Sequence, residues 1–328
     1  MAGGKGERLW PLSTPDRPKQ LIPLVEGKTL LDLALERVEG VAEKVILTNR
    51  KIASKVKEEN VRVIVEPVPK NTAPALIYAT ALLHEESEGP LVLAALPSDH
   101  YIHPVESFRD TLKRAFSVAE RYGRIVTFGI RPTHPHTGYG YIERGKEVED
   151  GIYEVVRFHE KPNRERAEEY LRRGSFYWNS GMFVWRSDAF LEEVKKHAPQ
   201  IYSLLYRDGS LTSPEEFFAE VEAISIDYAI MEKSHNILVI EANFGWTDVG
   251  SYSSLRSILP GDEHGNAFRD APPGVVDSEG NLVISGDKRV VLVGVRGVGV
   301  VIEGDTVLVV NLEEDQKVRE AARRFGSG

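Results

Sequence analysis

The sequence predicts an α/β protein, a mostly parallel sheet covered by helices and followed by a smaller β-rich tail. Three observations lead there. Short β-branched runs alternate with helical patterns over roughly the first 230 residues. A glycine-rich turn at Gly3–Gly6 opens that region. From Gly274 to Leu312 the texture changes to short Val/Ile/Leu runs broken by Gly and Asp, with no helical period.

The elements follow in order. Lys44–Asn49, Val61–Glu66, Leu91–Leu96 and Ile125–Ile130 are β-branched, apolar runs and read as strands. Thr72–Glu86 and Phe108–Tyr122 between them carry apolar residues at helical spacing, so the strands are expected to run parallel with helices on both faces. Ligands of such sheets bind at the carboxyl ends of the strands. Arg164–Glu232 is richer in helices, and Ser213-Pro-Glu-Glu216 is a helix start: a Ser cap, Pro at the first position and Glu at the third. Val290–Val295 and Thr306–Val310 read as rungs of a small β-solenoid or sandwich, and Lys317–Phe325 as a closing helix. The expected organisation is a domain at 1–260 and a β-rich tail at 261–328. In a parallel α/β fold a glycine-rich loop follows a buried strand. None precedes residue 3, which predicts about five to eight apolar residues upstream, unless another strand fills the sheet centre.

Composition narrows the function. The 328 residues are 41% hydrophobic and 28% charged, which suits a globular chain with a substantial core. No apolar run is long enough to cross a bilayer and no apolar signal core follows Met1, so a cytoplasmic protein that binds no membrane is expected. The absence of Cys excludes disulfides, thiolate metal sites and cysteine nucleophiles. A net charge of −9 argues against a nucleic-acid partner. An anionic substrate would have to meet positive charge concentrated locally.

That concentration is found at the amino terminus. Three glycines, Gly3, Gly4 and Gly6, let the backbone approach a ligand and aim several N–H groups at one spot, which suits phosphate oxygens. Neither the Walker pattern nor the dinucleotide fingerprint fits: no Gly-Lys-Ser/Thr is present, and Leu9 stands where the third glycine belongs. Arg8 and Lys19 turn a bland glycine turn into a candidate triphosphate cradle. Asp99 ends an apolar strand and is either a turn former or a Mg²⁺ ligand. Asp248, in an uncharged Trp-Thr-Asp-Val-Gly context, is a second candidate. Glu160-Lys161 reads as a solvated strand-end pair, Gly138-Tyr139-Gly140 as a bend, Asn179 as a core amide, and Asn71 as a helix cap. His134 and His136 lack a third ligand nearby for zinc.

Together these blocks resemble a family. Gly3-Gly4-x-Gly6-x-Arg8-Leu9-Trp10-Pro11 with Pro18-Lys19-Gln20 is similar to the signature of sugar-1-phosphate nucleotidylyltransferases, in the Leu-Trp-Pro variant of mannose-1-phosphate guanylyltransferases. Pro69-x-Asn71-Thr-Ala-Pro74, Pro97-Ser-Asp-His100, Thr137–Ile142, Phe158-x-Glu160-Lys161-Pro162, Trp178–Phe183, Ser225–Tyr228 and Trp246-x-Asp248-x-Gly250-Ser251 follow in order, so the resemblance runs from residue 2 to about 260. It implies a Rossmann-like nucleotidyltransferase domain with a short, left-handed β-helix as the tail. It implies GTP and mannose-1-phosphate as substrates, GDP-mannose as product and Mg²⁺ as cofactor, the metal on Asp99 and Asp248. Ala2, Gly3, Gly4, Lys5, Gly6, Arg8, Lys19, Asn71 and Asp99 would then meet the nucleotide. Gly138, Tyr139, Gly140, Glu160, Lys161 and Asn179 would meet the sugar phosphate. Arg8, Lys19, Asp99 and Asp248 would carry catalysis. Larger relatives add an isomerase domain; the present sequence reads as monofunctional and is expected to form a homodimer. The alternatives are another base or sugar, such as dTTP or UTP with glucose-1-phosphate, and a non-catalytic regulatory subunit.

Overall fold

The computed structural model describes residues 1–3, 6–56 and 61–326. The chain divides into two compact units. One comprises Met1–Gly3, Val38–Pro97 and His103–Gly245; the other comprises Gly4–Arg37, Ser98–Ile102 and Trp246–Gly328.

The first unit carries the strands read from the β-branched runs: β1 (Val45–Asn49), β2 (Arg62–Glu66), β3 (Val92–Ala95) and β4 (Ile125–Ile130). It adds β5 (Tyr141–Glu149), β6 (Ile152–His159), β7 (Phe176–Arg186) and β8 (Ile237–Glu241). β1 and β2 pair in parallel, and the other six form one sheet in the order β3-β7-β4-β8-β6-β5. Among the described residues only β4 and β8 run parallel in that sheet; β7 is antiparallel to β3, β4 and β5, and β6 to β8 and β5. The mostly parallel sheet expected from the sequence is therefore corrected to a mixed one. The reason lies in the segment after β4. β5 and β6 are joined only by Asp150 and Gly151, the latter at φ 66°, and so short a link permits nothing but a hairpin.

β4 is buried along its whole length, as a strand flanked on both sides must be. Thr72–Glu85 is buried continuously from Ala73 to Ala81, and Val105–Tyr122 buries Phe108, Leu112, Ala115, Val118 and Ala119 on one stripe and ends at Gly123 in the left-handed region. The Ser213 cap and Glu216 form the capping box expected of them. Residues 1 and 2 are threaded into this unit: the Ala2 N–H donates to Leu47 O, Thr48 Oγ1 donates to Ala2 O, and the Met1 amino group donates to Leu96 O.

The second unit holds the β-rich tail, with β9 (Ala267–Arg269), β10 (Gly274–Val276), β11 (Leu282–Ile284), β12 (Val291–Val293), β13 (Val298–Glu303) and β14 (Thr306–Asn311). β9, β11 and β13 stack in parallel, as do β10 and β12, and β14 turns back antiparallel on β13. Fully buried Asn266 and Asn281 tie the rungs: Asn281 Nδ2 donates to Asn266 Oδ1, and Asn281 Oδ1 accepts the Val298 N–H. The inward residues Ala267, Leu282, Ile284 and Val301 share one core with Leu9, Leu12, Ile22, Leu24, Leu30, Val249, Tyr252 and Leu255. The tail thus packs on the segments that carry the glycine turn and Asp248. No helix is long and apolar enough to cross a membrane among the described residues.

Candidate active site

Within the second unit the candidate charge-bearing groups converge on Lys19. Gly6 stands at φ 65°, and its carbonyl accepts from Ser13 Oγ at 2.6 Å and from the Leu9 N–H, closing a tight turn. A Cβ at Gly6 would come within 2.7 Å of Lys19 Cβ, so the absence of a side chain lets the turn lie directly on Lys19. Lys19 opens the 3₁₀ turn Lys19–Leu21 after Pro18, and it is only 7% exposed. Its ammonium donates to Asp248 O at 2.5 Å and meets Asp99 Oδ2 at 2.9 Å. Asp248 Oδ1 accepts the Gly250 N–H, and Ser251 caps the helix Tyr252–Arg256 that follows. Lys19 thereby meets the Asp99 carboxylate and the Asp248 backbone at one place.

The electrostatics of this cluster are set by burial against charge. Burial pushes the Asp99 carboxyl up, but Lys19 and His100 outweigh it and hold the group below the usual carboxylate range. Burial drives the His100 imidazole down to about 4 against the opposing pull of Asp99, so it is neutral at ordinary pH. Buried Arg37, lowered by burial to about 10, adds positive charge that Asp99 offsets. Arg8 is partly exposed, and its guanidinium donates to Gln316 Oε1 at 3.1 Å, a partner that sequence reasoning missed. Gly4 and Lys5 lie outside the described residues.

Within the first unit a second group gathers at the ends of β6 and β7. A Cβ at Gly140 would lie 2.6 Å from Glu160 Oε1 and 3.4 Å from Asn179 Cβ, so these three residues meet closely. The Asn179 N–H donates to Gly140 O at 2.8 Å. Gly138 donates its N–H to His136 Nδ1, and the Tyr139 ring stacks on the His136 ring. Lys161 is exposed, at φ 42°. Burial raises the Glu160 carboxyl, nearby Asp227 raises it further, and Lys161 opposes both. Asn71, at φ 70°, accepts the Thr72 N–H on Oδ1 and so caps its helix. Ala2 is buried against β1, and exposed Gly3 lies beside Glu66, whose Oε1 is 3.9 Å from the position of a Gly3 Cβ.

Sequence reasoning does not single out Asp227 as a site residue, although its Ser225–Tyr228 block carries part of the resemblance. It opens a π-helical turn, Asp227–Met231, a form often found at functional sites, and accepts from Asn179 Nδ2 at 2.9 Å. Burial raises its carboxyl despite that hydrogen bond. A carboxyl raised by folding costs nothing below its ordinary value near pH 4, then opposes folding increasingly as pH climbs through that value toward the raised one. Asp227→Asn is therefore expected to raise the melting temperature by about 1–4 °C at pH 7. The gain should vanish on acidification to about pH 4. A lower melting temperature at pH 7 would mean that the carboxylate stabilises the fold.

Comparison with known proteins finds matches along nearly the whole chain. A family model described as nucleotidyl transferase matches residues 1–264, and one described as a mannose-phosphate isomerase/GMP-like β-helix domain matches residues 275–325. A Klebsiella pneumoniae protein named mannose-1-phosphate guanylyltransferase is 38% identical across 98% of this chain and 72% of its own length, and an Escherichia coli protein of the same name matches to the same extent. A crystal structure from Thermus thermophilus, described as a mannose-1-phosphate geranyltransferase, is 36% identical with a TM-score of 0.92, covering 100% of this chain and 98% of that one. The chain is an enzyme of the nucleotidyl transferase family, among relatives that bear the name mannose-1-phosphate guanylyltransferase.

Proposed function

We propose that the chain transfers GMP from GTP to mannose-1-phosphate, yielding GDP-mannose and pyrophosphate. The observation that carries this reading is the buried Lys19 ammonium, held beneath the Gly6 turn between the Asp99 carboxylate and the Asp248 backbone. A sugar-phosphate oxygen is already an anion at neutral pH and needs no general base. It attacks the α-phosphorus in line, a new P–O bond forms, and the bond to the β-phosphate breaks with its electron pair leaving on pyrophosphate. The barrier is mutual repulsion of anions and charge growing on the equatorial and leaving oxygens, so positioning and positive charge suffice.

On this reading Lys19 faces the α-phosphate, Arg8 and the Gly3–Gly6 amides hold the β- and γ-phosphates, and Lys161 holds the acceptor phosphate. Glu160 and Asn179 take sugar hydroxyls, with Asp227 fixing the Asn179 amide. The donor set suits Mg²⁺: the Asp99 carboxylate, held ionised beside Lys19, and the carboxylate of Asp248, whose backbone carbonyl meets the same ammonium, would supply hard oxygen ligands. When bound, the ion supplies further positive charge at the phosphate oxygens.

Guanine as the base is supported by the relatives named mannose-1-phosphate guanylyltransferase. A homodimer in the cytoplasm belongs to the same proposal, with exposed Val307 and Val309 on the edge strand β14 suited to a second copy.

Pyrophosphate release with GTP, ATP, UTP and dTTP, each with mannose-1-phosphate or glucose-1-phosphate and Mg²⁺, tests the reading. GTP with mannose-1-phosphate is expected to exceed every other pair by at least about tenfold, given what a lost polar contact costs in discrimination. Preference for another pair would move the enzyme to that substrate. Nucleotide-sugar binding without pyrophosphate release from any pair would make it a regulatory subunit.

A further inference from the structure

Two motifs that the proposed chemistry uses separately, Pro97–His100 and Trp246–Gly250, are joined by one hydrogen bond. The Trp246 indole N–H donates to His100 Nδ1 at 3.1 Å, and the two rings meet edge to face with centroids 5.3 Å apart. An indole N–H can only donate, so His100 Nδ1 must offer a lone pair. In a neutral imidazole the proton then resides on Nε2. That nitrogen lies 3.9 Å from Asp99 Oδ1, while Lys19 takes Oδ2 at 2.9 Å. Lys19 and the His100 ring thus face different oxygens of the Asp99 carboxylate, and only Lys19 is within bonding distance. His100 itself is buried, which leaves its ring little freedom to turn.

We propose that His100 is a positioning residue, locked by Trp246 as the Nε2–H tautomer, whose remaining N–H sets the rotation of the Asp99 carboxylate and ties it to the Asp248 segment. The proposal rests on the reading that Asp99 and Asp248 lie at the reaction centre. The gap of 3.9 Å is too long for a hydrogen bond in the free protein. It closes when substrate draws Lys19 from Asp99, since catalytic contacts commonly tighten only in the complex. Outer partners of this kind act by orientation, and their loss typically costs about 10–100-fold in activity.

The first test uses the protein without nucleotide or metal. Nitrogen-15 NMR of the histidines, with the His100 signal identified by its loss in His100→Gln, is expected to show an unprotonated Nδ1 and a protonated Nε2. In Trp246→Phe, which keeps the ring and removes the donor, the pattern should shift toward a mixture of tautomers. The second test is kinetic. His100→Leu should lower kcat by about 10–100-fold with little change in KM for GTP, whereas His100→Gln should stay within about threefold of the parent, because its amide again offers one acceptor and one donor. An Nδ1–H tautomer, or equal activity of the Leu and Gln variants, in an enzyme that still releases pyrophosphate would overturn this proposal alone. Failure of the parent protein to release pyrophosphate would overturn the functional reading and this proposal with it.

Discussion

Lys19→Met is expected to lower turnover by at least about a hundredfold, the scale on which single charge-stabilising donors act, and to weaken the fold as well. Both effects come from one ammonium. Its side chain is 9% exposed and its partner Asp99 29%, at 2.9 Å. Methionine fills the volume but leaves the Asp99 carboxylate without its nearest cation in a poorly solvated place. Breaking a fully buried pair costs about 3–5 kcal/mol; with Asp99 partly solvated, about 1–3 kcal/mol is the reasonable range. A double variant separates the two roles. Lys19→Met combined with Asp99→Asn removes both charges, so its melting temperature should recover most of the loss while turnover stays low. If the double variant recovered activity together with stability, Lys19 would be a structural cation only. Steady-state pyrophosphate release and thermal melting suffice for the comparison.

The second large effect is expected at Gly6. Alanine there meets two penalties of different origin. A side chain in the left-handed region costs roughly 1–2 kcal/mol, and the new Cβ would stand 2.7 Å from Lys19 Cβ and 3.2 Å from Lys19 N. The second contact involves backbone and a packed side chain, so Lys19 must move. Misplacing a catalytic group by about 1 Å can cost on the order of a hundredfold in rate, and Gly6→Ala should therefore lose roughly 10–100-fold in kcat/KM along with some stability. Gly27→Ala is the control. Gly27 also has a positive φ, 74°, but a Cβ there meets nothing within 4 Å. It should share the strain and keep the activity. Equal kinetic losses in the two variants would mean that positive-φ strain in general, not the approach of the Gly6 turn to Lys19, is what lowers activity.

Much of this architecture is legible locally. The strands 45–49, 62–66, 92–95 and 125–130 fall within a residue or two of their β-branched runs, because side-chain pattern and strand length are properties of the segment itself. Strand direction is not local. β7 pairs with β3, β4 and β5 at once, and nothing within residues 176–186 declares which neighbours it will meet. The candidate site divides in the same way. Lys19, Asp99 and Asp248 are readable from residue type and motif. Asp227 is not, since its role depends on Asn179, 48 residues away, and the Trp246–His100 bond spans 146 residues. One signal in the tail is present in the sequence and easily passed over. Gly265-Asn266 and Gly280-Asn281 repeat at the period of the rungs, and the asparagines turn out to be the buried ties between them.

The last rung carries a further consequence. Beyond β14, Asp315 Oδ2 accepts the Ser253 N–H and Gln316 holds Arg8, while Leu312 and Val318 complete the core that Leu9 and Tyr252 begin. The C-terminal segment therefore cannot behave as an interchangeable appendix. Any lineage that replaced residues 312–318 would have to re-create the floor under the glycine turn, so substitutions in these two segments are bound to be correlated.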